Sequence, residues 1–518
     1  MCGILAAFGT APAIAQRLQR LSHRGPDETR VTNFGPHTLG FVRLAVATDT
    51  PATGIQPFRD AAGRGACVNG EIYNHAELGS REVDCDVVLP LFEKHGPEFV
   101  NMLEGMFAII IWDKPNNKVF IARDHCGIIP LYWACSNDSM WVASEMKALP
   151  AHSNIQIFPP RHYYYGPYDA PDKEVARWYP SEWLQAPVAD PHAALRETLE
   201  RACVSHVDCP TRFGFLLSGG LDSSLVLAIC ADAVRRAGKE LHTFTIGLED
   251  SPDLDYARRV AEAFDTHHHE VKYTVEEGIA AVSSCIYHIE TFDVTTVRAS
   301  VPQFLLASYI RDNGFKMVMS GEGSDELLGG YLYFRYSPDA QQLHEECVRK
   351  FGTLHMYDCL RTNKTLAAFG VETRVPFLDR GFVQAALTMP AELKMHGADH
   401  VEKRVLREAF DGRTALPADV LWRQKAQFSD SVGSRWIGGL QAEARARGFA
   451  TEQAWYETEF IRHYQGASAM ATVPRCETVA CSSGVGASWV PENVTRDPSA
   501  AQLAAVNAAN PTDGADTD

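Results

Sequence analysis

Two stretches of this 518-residue chain carry residue types in an order restrictive enough to do chemistry. The first runs from Phe213 to Ser224 and reads FGFLLSGGLDSS. Its apolar opening, Phe213 to Leu217, predicts a short buried strand, and Ser218-Gly219-Gly220 turns the chain into a helix carrying Asp222, Ser223 and Ser224. Glycine lets backbone N–H groups reach an anion without Cβ interference, and the helix adds its unpaired N-terminal donors and positive dipole end. Pyrophosphate suits such a cradle. The stretch has no Gly-Lys-Ser/Thr ending, so it differs from loops that serve cleavage of a terminal phosphate. The second stretch is the amino terminus. With Met1 removed, Cys2 becomes the first residue, and its α-amine, which titrates near neutrality, can take the thiol proton directly or through water. Such a nucleophile needs no histidine.

The remaining chain must position these residues. Its length implies about two to four domains, and 46% hydrophobic with 22% charged residues is the composition of a soluble globular protein. A net charge of -17 excludes nucleic acid as a general partner, because a phosphate backbone would meet like charge. Thirteen cysteines without a Cys-x-x-Cys pair argue against a disulfide framework or a zinc site. No signal peptide is expected at the start, and the longest apolar run, Met106 to Trp112, is far below a membrane span. These readings predict a cytoplasmic protein with small-molecule ligands, no nucleic acid and no membrane.

Up to about residue 185, short apolar strands alternate with Gly, Pro and Asn punctuation: Ile4–Phe8, Thr38–Val46, Gly65–Val68, Phe107–Trp112, Val119–Ala122, Leu131–Ala134 and Met140–Ala143. Helical periodicity appears near Ala11–Leu21 and Cys85–Lys94. Two packed sheets flanked by helices would bury these strands. A Pro- and Tyr-rich linker follows, and then helix and strand alternate as in a doubly wound parallel sheet, with strands at Phe213–Leu217, Leu241–Leu248, His268–Val271 and Met317–Met319. Ligands should sit at their carboxyl ends. One such end carries Ser320-Gly321-Glu322-Gly323-Ser324-Asp325-Glu326, small residues bearing acids. Asp222 and Asp325, from neighbouring strand ends, are candidate Mg²⁺ ligands. His267-His268-His269 reads as the start of a strand, on which consecutive side chains face opposite ways and cannot converge on a metal. From about residue 482 the Ala, Asn, Asp, Thr and Pro content predicts a disordered tail.

The Ser-Gly-Gly-x-Asp-Ser-Ser stretch resembles the PP-loop of enzymes that attack the α-phosphate of ATP and release pyrophosphate. Arg24-Gly25-Pro26-Asp27, Arg43-Leu44, Asn69-Gly70-Glu71-Ile72-Tyr73-Asn74 and Val83-Asp84, together with Cys2, resemble class II, N-terminal-nucleophile (Ntn) glutamine amidotransferases. By that resemblance Cys2 attacks the glutamine amide, and Asn69 and Gly70 hold the oxyanion. Glutamine is bound by Arg43, Leu44, Ala45, Val46, Ala47, Asn69, Gly70, Glu71 and Asp84, with Arg43 on the α-carboxylate and Glu71 and Asp84 on the α-ammonium.

The resemblance extends through Tyr287–Thr296, Glu322–Tyr333, Leu354–Asp358, Glu372–Asp379 and Trp422–Asp430 to glutamine-hydrolysing asparagine synthetases of the bacterial B type. It implies an α/β protein: an Ntn-type αββα sandwich glutaminase domain over residues 1–185, a doubly wound parallel-sheet PP-loop synthetase domain over 186–445, and a C-terminal extension over 446–518. Leu217, Ser218, Gly219, Gly220, Asp222, Ser223, Ile246, Ser320 and Gly321 would then contact ATP. Glu322 would serve formation of β-aspartyl-AMP, and Lys425 would neutralise pyrophosphate. A homodimer is also implied. An amide-forming synthetase with another carboxylate acceptor, or an inactive homologue acting by binding, are the alternatives.

Overall fold

The structure is a computed structural model and describes residues 1–9, 14–48, 53–80, 82–135, 138–150, 154–170, 174–180, 183, 185–396, 401–424, 432–433, 435–475 and 484–490. Its amino-terminal part is built on two six-stranded antiparallel sheets. One runs Ile155–Ile157, Tyr132–Cys135, Ser139–Ala143, Gly3–Gly9, His37–Arg43, Glu28–Phe34; the other runs Ala176–Arg177, His162–Gly166, Lys118–Arg123, Gly105–Asp113, Gly65–Ile72, Phe58–Arg59. Gly3–Gly9 is buried on both faces. Ile4, Ala6 and Phe8 point into the core between the sheets with Phe107 and Ile109, while Leu5 and Ala7 face Leu18 and Leu21 outside it. The two-residue period of a strand produces that division.

The carboxy-terminal part centres on a five-stranded parallel sheet in the order His267–Lys272, His242–Gly247, Phe213–Leu216, Met317–Met319, Glu372–Arg374. Both faces are covered, as parallel sheets require. Phe215, Met317 and Met319 pack with Leu225 of the helix Leu221–Arg236, and Phe244, Ile246 and Val318 pack with Val301 and Phe304 of the helix Val294–Asp312. The helix Pro191–His206 opens this part with Pro191 in its first turn and the Asp190 side chain accepting the Ala193 N–H at 2.9 Å.

The apolar strands that the sequence places are found near their expected positions, whereas the short strands Phe58–Arg59, Ile155–Ile157, His162–Gly166 and Ala176–Arg177 and two polar ones do not announce themselves. Glu28–Phe34 is a mostly exposed edge strand with little apolar content. Glu372–Arg374 is polar yet buried throughout, because its side chains make ion pairs to the other domain. The helix expected over Cys85–Lys94 starts at Val88, after a 3₁₀ turn over Asp84–Val87. Pro90 then falls in its first turn, where the missing N–H is tolerated. The helix expected over Ala11–Leu21 spans Ile14–Gln19; residues 10–13 lie outside the described residues, as do 482–483 and 491–518 of the expected tail, between which Gly484–Trp489 is a short helix rather than disordered chain.

Charge joins the two parts. Glu290 is 1% exposed and accepts the Met146 and Lys147 N–H groups at 3.0 and 2.9 Å and the Lys364 ammonium at 2.6 Å. Arg24 donates to Glu145 at 2.6 Å and across the boundary to Asn363 at 3.0 Å, and Lys316 meets Asp27 at 2.8 Å. His125 donates to the Leu378 carbonyl at 2.7 Å; burial holds its imidazole down to about 4, so it is neutral at physiological pH. Beside it, the Asp124 carboxylate accepts the N–H groups of Cys126, Gly127, Ile128 and Ile129 and so ties the turn between two strands.

Removing one member of a buried ion pair strands the other at a cost of about 3–5 kcal/mol. Lys364→Met should therefore lower the urea midpoint and thermal midpoint of the whole protein, with a loss of about 3 kcal/mol read from urea unfolding.

Candidate active sites

Cys2 sits half-buried at the entry to the central strand of its sheet. Its Sγ accepts the Leu44 N–H at 3.4 Å and donates to the Leu44 carbonyl at 3.7 Å, and Arg24 Nε holds the Cys2 carbonyl at 2.9 Å. With Met1 in place, burial pushes the thiol up to about 11, against the Met1 ammonium, so the thiol must shed its proton during reaction. Asn69 is fully buried across the sandwich, with its Nδ2 on Ser144 Oγ at 3.4 Å; that hydroxyl also accepts the Ile4 N–H at 3.0 Å. Asn69 Oδ1 has no hydrogen-bond partner.

Glu71 and Asp84 lie close by. Asp84 accepts the Ile72 N–H at 2.9 Å, and burial raises its carboxyl above the usual range. Burial raises that of Glu71 further, against Arg374, whose guanidinium reaches it at 2.8 Å from the synthetase side. Arg43 is buried with Nη1 at 3.6 Å from Glu28. Leu44 and Val46 are buried, Ala45 donates its N–H to Asp27 at 2.8 Å, and Ala47 is exposed.

The second site is a cavity of about 190 Å³ at the carboxyl ends of the parallel strands. Leu217, Ser218, Gly220, Asp222, Ser223, Ile246, Ser320, Gly321, Glu322 and Asp325 all line it. Ser223 Oγ receives the Ser218 N–H at 3.2 Å and donates to the Gly220 carbonyl at 3.3 Å, which folds the loop over the helix start. Gly219 has φ +66, and a Cβ there would fall 2.5 Å from the Ala257 nitrogen. Gly321 presses on the cradle from the neighbouring strand end, where a Cβ would fall 2.7 Å from the Ser223 nitrogen.

The cavity also gathers charges that sequence reasoning missed. Lys403, 1% exposed, places its ammonium at 2.7 Å from Asp222 and 2.8 Å from Asp325. Arg361 reaches both oxygens of Glu322 at 3.0 Å and Asp358 at 2.6 Å, and Thr362 donates to Glu322 at 3.0 Å. Tyr331 donates to Glu326, whose carboxyl is pushed up to about 8 by burial and by Asp358 and Asp325. Arg423 pairs with Asp253 at 2.7 Å beside the cradle. Lys425 lies outside the described residues. Arg374 stood within the Glu372–Asp379 motif without a role to mark it, and nothing local in the sequence signals Lys403.

Among the described residues no three His, Cys, Asp or Glu side chains form a metal cluster, and His267, His268 and His269 share one strand without converging. No helix among them is long and apolar enough to cross a membrane.

Half sandwich with an N-terminal cysteine, half parallel sheet with a phosphate cradle, the molecule is a two-site glutamine-dependent amidotransferase. Residues 1–162 match the glutamine amidotransferase domain family, and residues 194–341 and 335–471 match the asparagine synthase family. The chain is 42% identical to the glutamine-hydrolyzing asparagine synthetase of Triphysaria versicolor, covering 94% of this chain and 91% of that protein. It is also 42% identical to asparagine synthetase [glutamine-hydrolyzing] 2 of Arabidopsis thaliana, covering 94% and 92%, and to the Asparagus officinalis protein of that name, covering 94% and 90%. The chain belongs to the glutamine-hydrolysing asparagine synthetase family.

The contact at Gly321 gives a test of the cradle. Gly321→Ala forces the Ser320 loop away from the helix start, and overpacking of this kind costs about 1–3 kcal/mol. ATP affinity measured by calorimetry should fall roughly tenfold or more.

Proposed function

We propose that the chain converts L-aspartate to L-asparagine with ATP and glutamine-derived ammonia, releasing L-glutamate, AMP and diphosphate. The observation that carries this reading is the meeting of the Ser218–Ser223 cradle and the acid-bearing Ser320–Asp325 loop in one cavity, on the chain that also holds a half-buried Cys2 beside Leu44.

At the glutaminase site, which we assign to a domain over residues 1–185, Cys2 Sγ attacks the glutamine amide carbon. Ammonia leaves, and water hydrolyses the thioester to glutamate. The Asn69 amide and the Gly70 N–H face the developing oxyanion, the kind of donor whose loss costs a few kcal/mol of barrier. Arg43 takes the α-carboxylate as a bidentate fork. Glu71 and Asp84 take the α-ammonium, and Leu44, Ala45, Val46 and Ala47 form the adjoining wall.

At the synthetase site, assigned to residues 186–445, the β-carboxylate of aspartate attacks the α-phosphorus of ATP and diphosphate leaves. The backbone donors of Ser218, Gly219 and Gly220 with Ser223 cradle the departing diphosphate, and Lys425 neutralises it. Leu217, Ile246, Ser320 and Gly321 form the nucleotide wall. Ammonia then attacks the acyl carbon and AMP leaves. Glu322, held by Arg361 and Thr362, takes the proton that the attacking ammonia gives up. Asp222 and Asp325 both lie within 2.8 Å of one ammonium, so their hard oxygens can share one cation. They would hold Mg²⁺, whose charge would screen phosphate oxygens there.

The eleven described cysteines are all free, which supports a reducing, cytoplasmic setting, and we expect a homodimer. AMP production with aspartate against a panel of other acids tests the acceptor; a larger acid outperforming aspartate would replace it. Cys2→Ala should abolish glutamine-dependent synthesis while ammonia-dependent synthesis persists, and Asp222→Asn should stop diphosphate release with either nitrogen source.

A further inference from the structure

The glutamine pocket contains a residue that does not come from the glutaminase side. Arg374 ends the edge strand of the parallel sheet and is 1% exposed. Its Nη2 lies 2.8 Å from Glu71 Oε2, its Nε 2.9 Å from Glu372, and its Nη1 donates to the His206 and Asp208 carbonyls at 2.8 and 3.1 Å. Four separate acceptors therefore fix one guanidinium in place.

Without that cation Glu71 faces an unfavourable setting. It is buried, and Glu372 and Asp84 add negative charge beside it. A carboxyl so placed needs a fixed donor to hold its oxygens toward a substrate ammonium. Arg374 supplies that donor from across the domain boundary. Its carbonyl meanwhile accepts the Ser320 N–H at 2.9 Å, so its main chain belongs to the nucleotide loop and its side chain to the glutamine pocket.

We propose that Arg374 is a positioning residue for glutamine: the synthetase domain completes the glutaminase pocket by holding the Glu71 carboxyl in place through a direct contact at 2.8 Å. This rests on the glutaminase reading of Cys2 and Glu71. It also means that glutamine affinity belongs to the assembled two-domain chain.

The test uses the full-length chain. Glutamine hydrolysis by the unmodified chain is measured first, so an error in the glutaminase assignment appears there, before any variant. Arg374→Gln should raise the KM for glutamine roughly tenfold or more while kcat for hydrolysis stays within about twofold. Ammonia-dependent synthesis should also stay within about twofold, because the backbone bond to Ser320 does not depend on the side chain. Arg374→Lys, which restores a cation, should recover part of the KM. In a Glu71→Gln background, adding Arg374→Gln should raise the KM by less than about twofold, because the arginine acts through that carboxylate. An unchanged KM in Arg374→Gln, full multiplication of the two effects, or a parallel fall of ammonia-dependent synthesis would each overturn the proposal.

Discussion

A carboxylate removed from water costs several kcal/mol unless its oxygens are satisfied, and Glu290 is satisfied from both halves of the molecule at once. Met146, Lys147 and the Lys147 ammonium approach it from the sandwich; Lys364 approaches from a helix of the synthetase half. Each donor needs the acid and the acid needs all of them, so the two halves have one relative placement in which the charges close. Arg24 with Asn363, Lys316 with Asp27 and Arg374 with Glu71 repeat the arrangement along the boundary. Apolar contacts would tolerate sliding. Directional ion pairs and hydrogen bonds do not.

That fixed placement gives the chemistry its setting. Water would destroy an activated acyl group and would protonate ammonia, so two linked reactions profit from sites held at constant separation within protein. Inside each site the same economy of charge recurs. Lys403 holds two aspartates that would otherwise repel, Arg361 holds Glu322 and Asp358, and burial keeps Glu326 near 8 behind Tyr331. These carboxylates stand in preset positions, each held by a neighbouring side chain that also lines the cavity.

How much of this the sequence discloses depends on the physical signal involved. Phe213–Leu216 and Gly105–Asp113 announce themselves as apolar strands, and Gly219 marks a backbone that no Cβ could enter. The cradle follows from those signals together with residue types of narrow chemistry. Glu372–Arg374 is invisible by the same logic, because its burial is paid in ion pairs and leaves no hydrophobic pattern. Lys403 is invisible for another reason. It reaches Asp222 from 181 residues away, and only the folded path of the chain brings them together. Local rules capture the elements and the loops at their ends; long-range charge pairing lies beyond them.

The polar edge strand carries a consequence for how such enzymes can be recombined. Grafting a glutaminase half from a different amidotransferase onto this synthetase would set foreign side chains opposite Arg374, Lys316 and Glu290, each of them matched here to a particular countercharge. A chimera would inherit both catalytic kits and still lack the countercharges that seat one upon the other. Transplantable modules in this lineage are therefore defined by complementary acids and bases along the seam as much as by the folds they join.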